Sequence, residues 1–463
     1  MPASDIASST TIIEAASPSA PGFGVPIIAV ELTAPQDALW GVDLIRETTQ
    51  STWVADLTAL GFVDGDPLYE ELQTGFSQDV VPPLVLIGKR ATAVAQVTNF
   101  DLGDPDVAPV GTYTITIATV NGTESISTIL GAPSTRTAVV ATLIITINAS
   151  PLPITASPGA DTEQLDVTSD VAGVSFSFAT AAPAPEIWTV NTTTPNVGLS
   201  TDISAWEAER SDWYFVTELS RSVEINASMV GPVASFSRAI LFVSAVSAAT
   251  DPDALDGTSS TRAGALITLS QRTAVAYVPS GTDHSLAAAY FRLLPEDPGS
   301  LTWANWQLRI TGTKYSGPNT RALRGMGTNP GNYWYFEVIP TLATSGITRW
   351  MRMGDQTPMD LVRGRDKVDA DIETDVGQAL IDEPKIAYTD QGSEQIIGVI
   401  AGSLGKNVNS GLIAVDSFAV TTTPRSAQVP ADIAARQWRG YTWTATLAGA
   451  QEGVDIGGTL FIV

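Results

Sequence analysis

The 463-residue sequence has no cysteine and only one histidine, His284. The first absence excludes a disulfide framework, thiolate metal sites and cysteine nucleophiles. The second leaves His284 without a second imidazole or thiol to complete a relay. Cations are also scarce: 24 Lys and Arg stand against 49 Asp and Glu, a formal charge of −25. Such a surface repels phosphate backbones and anionic headgroups, so no direct nucleic-acid partner is expected. Long apolar runs are missing as well. Ala138–Ile147 and Ala239–Ala249 fall short of the ~20 residues that a membrane-spanning helix needs, and no membrane insertion is expected. The segment Met1–Thr11 has neither a positive n-region nor an apolar h-region, so the chain is expected to fold where it is made.

What is present is an apolar chain with 44% hydrophobic and 16% charged residues, a composition that folds and seeks partners. At ~100–200 residues per domain the length predicts two to four domains. No repeat of solenoid period is visible. Residues 1–25 read as a loose arm, small, polar and punctuated by Pro2, Pro18 and Pro21, with the β-prone run Gly24–Leu32 following. Trp53, Val54, Leu57 and Leu60 recur at helical spacing with Gly61 placed to stop the helix, and Leu68, Tyr69, Leu72 and Phe76 predict a second one. Pro83–Gly88 reads as a buried strand. Strand-like Trp213–Leu219, Ile240–Val246 and Ala274–Val278 then alternate with helical patterns at Ala205–Glu209, Val223–Arg238 and Ser285–Leu294. This alternation predicts an α/β core over 26–94 and 184–323.

Between these halves the texture changes. Tyr113–Ile117 alternates strictly, and a type I′ turn at Asn121-Gly122 would place Ile117 opposite Ile126 and Tyr113 opposite Leu130. Ala138–Ile147 fits helix or strand by periodicity alone, and Gly173–Phe178 is strand-like. Residues 95–183 therefore read as an inserted, outward-projecting β-rich module. A C-terminal α+β domain is expected over 324–450, opening on the aromatic strand Tyr333–Ile339. A helix with Leu361, Val368, Ile372, Val376 and Leu380 on one face follows, then another around Glu394–Leu404 and strands at Leu412–Val420 and Tyr441–Leu447. Residues 451–463 read as a second arm. Gly453, Gly457 and Gly458 form its hinge, and Leu460, Phe461, Ile462 and Val463 give an apolar strand whose backbone would be unpaired in water.

No motif in the chain specifies an enzyme or a cofactor. Gly402–Asn407 lacks the spacing and hydroxyl of a P-loop, and Gly325–Gly331 is one residue too long for a dinucleotide fingerprint. Asp251, Asp253 and Asp256 miss the register of a calcium loop. His284, ahead of an Ala-rich helix, reads as a capping or surface residue. Asp366, Asp369 and Glu373 form a stripe that reads as the wet face of a helix. One cluster runs against the acidic background: Arg349, Arg352, Arg363, Arg365 and Lys367. The last three sit at a helix start, where cations oppose the macrodipole by a few tenths of a kcal/mol each. Two readings stay open on the residues alone, local pairing with Asp355, Asp360, Asp366 and Asp369 or an acidic partner surface.

Several stretches, in order, resemble the tail sheath proteins of contractile-tailed bacteriophages. They are Thr273–Pro279 with Ala287–Phe291, Pro298–Trp303, Asn332–Tyr335, Asp360–Lys367, Lys385–Gly392 and Asn409–Ile413, with Asp212–Tyr214 and the hairpin module also fitting. The resemblance implies a non-enzymatic structural subunit that stacks in hexameric rings around a tail tube and contracts to drive the tube through the host envelope for genome delivery. It implies as partners neighbouring sheath subunits, six per ring, the tail tube protein, and baseplate and tail terminator or neck proteins. It further implies assembly in the host bacterial cytoplasm and residence in the virion tail. On it, Arg349, Arg352, Arg363, Arg365 and Lys367 face the tube, and terminal strands pair in neighbours. The N-terminal one is either Ile27–Leu32, with Ile27, Ile28 and Val30, or Thr11–Ala15, with Ile12 and Ile13. Two other classes compete: a surface-layer or adhesin-type structural protein, which would need an export signal, and a tail-associated polysaccharide hydrolase, which would show a β-helix repeat.

Overall fold

The computed structural model describes residues 22–91, 93–103, 107–119, 122–130, 134–220, 223–236, 238–246, 272–278, 284–298, 301–303, 306–310, 333–338, 345–349, 353 and 357–449. The chain divides into two compact units, one formed by 24–295 with 306–357, the other by 1–23, 296–305 and 358–463.

The first unit is built on a nine-stranded sheet. Its strands are β1 (Pro26–Val30), β2 (Ile45–Thr48), β3 (Val85–Lys89), β13 (Phe215–Glu218), β14 (Ile240–Val246), β15 (Thr273–Val278), β16 (Gln307–Arg309), β17 (Tyr333–Val338) and β18 (Ser345–Arg349). Their order is β16-β18-β17-β15-β14-β13-β1-β3-β2. The six strands from β3 to β17 are parallel, while β2, β18 and β16 are antiparallel to their neighbours. The run Pro26–Val30 is buried at every position, as a central parallel strand covered on both faces requires.

Among the described residues seven helices belong to this unit: α1 (Ala34–Trp40), α2 (Trp53–Ala59), α3 (Pro67–Phe76), α4 (Arg136–Asn148), α5 (Leu199–Glu209), α6 (Val223–Ser235) and α7 (Ser285–Leu293). Gly61, at φ +82°, follows α2 as the sequence predicts. α5 packs on the sheet through Trp206, whose ring covers Gly88. A Cβ there would lie 2.7 Å from the indole, so only glycine admits this approach.

The inserted module leaves after β3 and returns at α5. It holds a four-stranded sheet, β12-β4-β10-β9, from β4 (Val97–Asp101), β9 (Ile154–Pro158), β10 (Gln164–Ser169) and β12 (Thr189–Thr194). It also holds a three-stranded sheet, β11-β6-β7, from β6 (Gly111–Thr119), β7 (Gly122–Leu130) and β11 (Ser177–Ala181), and a short pair, β5 (Val107–Ala108) with β8 (Ser134–Thr135). Phe100, Tyr113, Ile115, Ile117, Ile126, Leu143, Leu165 and Val167 share its core.

Two expectations change here, and one open alternative is decided. β12 pairs with β4, and Val94 bridges Val197, so the module runs to about residue 197 and not 183. The hairpin pairs Thr119 with Gly122 and Ile115 with Ile126, two residues away from the predicted register. A shift of two keeps every side chain on its face, so the apolar pattern is satisfied by both registers. Ala138–Ile147 is helical, its start capped by the Thr135 hydroxyl, which accepts from the Ala138 N–H at 3.2 Å.

The predicted C-terminal domain at 324–450 also begins too early. β17 joins β15 in the main sheet, so Tyr333–Arg349 belongs to the first unit, and the second unit resumes at Pro358. That unit carries α8 (Met359–Asp382), α9 (Asp390–Asn409), β19 (Ala419–Thr421), α10 (Pro430–Ala435) and β20 (Thr442–Thr444). Val368, Ile372 and Val376 of α8 meet Ile396, Ile400 and Leu404 of α9 in its core, joined by Leu412 and Ile413. These are the stripes that the helical spacing predicts.

Candidate assembly interface

The second unit places a two-stranded sheet over its helix pair. β19 and β20 run antiparallel, Val420 opposite Trp443, and the isolated bridge Ile413–Leu447 extends the pairing. Among the described residues these strands pair only with each other, which leaves an outer edge on each. Two strands are also too few to cover the helices. Phe418, Val420, Tyr441, Trp443, Ala445 and Leu447 pack on the core and remain only partly buried. An isolated two-stranded sheet is marginal in water, and open edges are templates for further strands.

The excursion between the strands is held stiffly. Gln428 donates to the carbonyls of Thr423, at 3.0 Å, and Arg439, at 2.7 Å, and accepts from the Arg439 N–H. Tyr388, Trp438 and Tyr441 stack in series with centroids 4.9 and 6.5 Å apart, and Trp438 donates to Thr422 Oγ1 at 3.0 Å. Burial pushes the Tyr441 phenol above its ordinary pKa. The sequence marks both strands but not their pairing, because the partner lies some twenty positions away.

The basic cluster is not a single patch. Arg363, expected to face a tube, is 1% exposed and lies over the Trp303 ring with its guanidinium carbon 5.4 Å from the centroid. Its planar, weakly hydrated head packs inside where an ammonium would not, and that corrects the expectation. Arg365 and Lys367 are partly exposed, Arg365 beside Asp366 at 3.6 Å and Lys367 bonded to Asp371 Oδ2 at 2.6 Å. Arg349 ends β18, in the other unit, and Arg352 lies outside the described residues. Asp366, expected on the wet face, is 1% exposed.

His284 stands at the N-cap position of α7, one of the two places expected for it, and is partly buried rather than on the open surface. Its Nδ1 lies 2.6 Å from Glu71 Oε2, and Tyr290 donates to Glu71 Oε1 at 2.9 Å, which ties α3 to the start of α7. At the carboxyl ends of β1, β3 and β13 the direction of winding reverses, the place where a doubly wound sheet binds ligands. Here Arg90 and Glu218 occupy it as an ion pair, with Glu31 3.6 Å from Arg90.

Ile27, Ile28 and Val30, expected to leave their own subunit, lie on β1 with paired strands on both sides. Both edges of that strand are used within the chain, so the expectation is corrected. Ile12, Ile13, Gly453, Gly457, Gly458, Leu460, Phe461, Ile462 and Val463 lie outside the described residues, as do Asp251, Asp253 and Asp256. Among the described residues no helix is long and apolar enough to cross a membrane.

No family profile matches the sequence, and no curated protein does. Solved structures do. A chain from the contracted sheath complex of an extracellular contractile injection system, PVC, aligns over 99% of this chain and 97% of its own, with 11% identity and a TM-score of 0.53. The contracted helical sheath of the anti-feeding prophage aligns over 99% and 98%, with 12% identity and a TM-score of 0.42. The baseplate of the same prophage aligns over 57% and 73%, with 13% identity and a TM-score of 0.42. The first of these carries the assignment: the chain has the fold of a contractile sheath, an α/β multidomain architecture.

Proposed function

We propose that this chain is the sheath subunit of a contractile tail. Copies stack as rings of six around a tail tube and contract to drive the tube through a host envelope, delivering a genome. The observation that carries the reading is the β19–β20 pair: a two-stranded sheet with both edges open among the described residues and six apolar side chains half covered. Strands supplied by neighbouring copies would pair these edges and complete the cover. The supplied strands are Thr11–Ala15 and Val454–Val463, with Gly453, Gly457 and Gly458 as the hinge that lets bodies rotate while strands stay paired. Partly exposed Arg365 and Lys367, with Arg349 and Arg352, are the cations available to an acidic tube surface. Tube, baseplate and terminator or neck proteins complete the partner set, and assembly takes place in the bacterial cytoplasm.

Energy for contraction comes from the lattice finding better-packed interfaces, which requires no bound nucleotide. Negative-stain microscopy of the purified full chain tests the reading. Tubes or ring stacks are expected, whereas flat lattices favour a surface layer and isolated particles that clear polysaccharide favour a hydrolase.

A further inference from the structure

Two surfaces of the inserted module present no charged residue of their own. On the outward side of its three-stranded sheet stand Thr114 and Thr116 of β6, Ser125, Ser127 and Ile129 of β7, and Ala179 of β11. On α4 the exposed side presents Thr137, Ala138, Ala141, Thr142 and Ile145, and the Glu163 carboxylate accepts from Thr137 Oγ1 at 3.2 Å at its N-terminal end. The one charge of that helix, Arg136, is buried against Glu186 at 2.6 Å. α4 packs on β7, an edge strand of that sheet, through its buried side. Ile129 and Ile145 are 73% and 71% exposed on the two surfaces.

A soluble surface carries about 25–35% charged residues. The neutrality is local: the outward side of the four-stranded sheet in the same module bears Asp101 and Asp166 beside Asn99 and Gln164. Nor is it the chain's habit, with 49 acids in the sequence.

We propose that this neutral surface is a contact with a second copy of the chain; the inference rests on the reading of the protein as a polymer subunit. Each copy carries a formal −25. Bringing acid-bearing surfaces together buries like charges, a penalty that a face without charged residues spares two copies of this chain. A charged partner finds nothing there to complement, and the sheet face offers no aromatic ring or amide fork to a sugar. The side chains are small enough for close approach, and Thr116 and Ser125 already bond each other at 2.9 Å, so burial does not orphan their hydroxyls.

The size of the surface sets the strength of the contact. Two strands of nine residues and one of five span about 350 Å², and the helix side adds about 200 Å². This is below the ~800 Å² per partner of a standard stable interface. The contact is therefore weak, formed between free copies only at high concentration and reinforced when repeated through an assembly.

Because the chain has no cysteine, one introduced thiol is a unique reporter. Full-length S127C and A141C are each labelled with benzophenone maleimide and irradiated, both in the pelleted assembly and at the highest soluble concentration. S157C on the charged sheet serves as control. A covalent dimer is expected at Ser127 and Ala141 at about five times the control yield or more, and adding S125E with A179E returns it to the control level. Yields at the control level in both fractions overturn the proposal, as does capture of a copurified polysaccharide or another protein in place of a second copy. Tubes without capture sink this contact and leave the sheath reading standing. Wild-type protein that never forms tubes sinks the sheath reading, while the soluble fraction still decides the contact.

Discussion

Arg90 and Glu218 form a buried ion pair, Nη1 to Oε1 at 2.9 Å, across the carboxyl ends of β3 and β13, with both side chains 1% exposed. Ser220 donates to the other oxygen of Glu218 at 2.6 Å. The pair closes the crevice of the parallel sheet at the point where the inserted module departs.

Arg90→Met should lower stability by about 3–5 kcal/mol, because a buried carboxylate loses its partner, and Glu218→Gln should fall in the same range. Arg90→Met with Glu218→Leu should recover most of the loss. Urea unfolding of the four proteins measures the cycle. A double variant no more stable than the singles would show that the crevice needs its charges.

Asp202 gives a pH dependence with a definite sign. Burial raises its carboxyl pKa, against the lowering effects of the Ala91 N–H, which it accepts at 3.2 Å, and of Arg90. A folded pKa above the unfolded value means that ionisation opposes folding. The penalty is complete above the raised pKa and vanishes below the unfolded one. Asp202→Asn should therefore be more stable than wild type at neutral pH, with the difference closing as pH falls through the carboxylate range. Thermal melts at a series of pH values test this, and an unchanging difference would refute it.

Gly88→Ala should destabilise by about 1–3 kcal/mol, since its methyl would stand 2.7 Å from the Trp206 ring. Gly65→Ala offers a contrast: nothing lies within 4 Å, and only its φ of +95° opposes the change. Melting temperatures should rank Gly88→Ala below Gly65→Ala.

Tyr290→Phe removes a donor to buried Glu71 and should cost about 1–3 kcal/mol, with no change in the secondary-structure signal. Differential scanning calorimetry reads the loss. A neutral result would show that the remaining contacts of Glu71, His284 among them, satisfy the carboxylate.

Removing residues 454–463 should leave a soluble, cooperatively folded monomer that forms no tubes, if those residues complete the sheet of a neighbour. Unfolding or aggregation of the truncated monomer would place the strand in its own core. Replacing residues 95–196 with a Gly/Ser bridge should leave the nine-stranded sheet folded, because Val94 and Val197 are already bridged. Circular dichroism with a cooperative melt checks that second variant.

The apolar patterns alone determined that Gly61 stops a helix, that Leu57, Leu72 and Phe76 lie on helix faces that turn inward, and that Val368, Ile372 and Val376 share one stripe of α8. Tertiary structure decided the rest, because periodicity records which side of an element is covered and is silent about the partner that covers it. Thr189–Thr194 shows almost no apolar signal, yet β4 takes it as a neighbour through its backbone. Tyr333–Val338 looks the same as an opening strand of a new domain or as the next strand of the old sheet, and only pairing with β15 distinguishes them. The hairpin register is free by two residues on hydrophobic grounds, and the backbone ladder fixes it. Arg363 reads as a surface cation until Trp303, distant in sequence, supplies the ring that buries it.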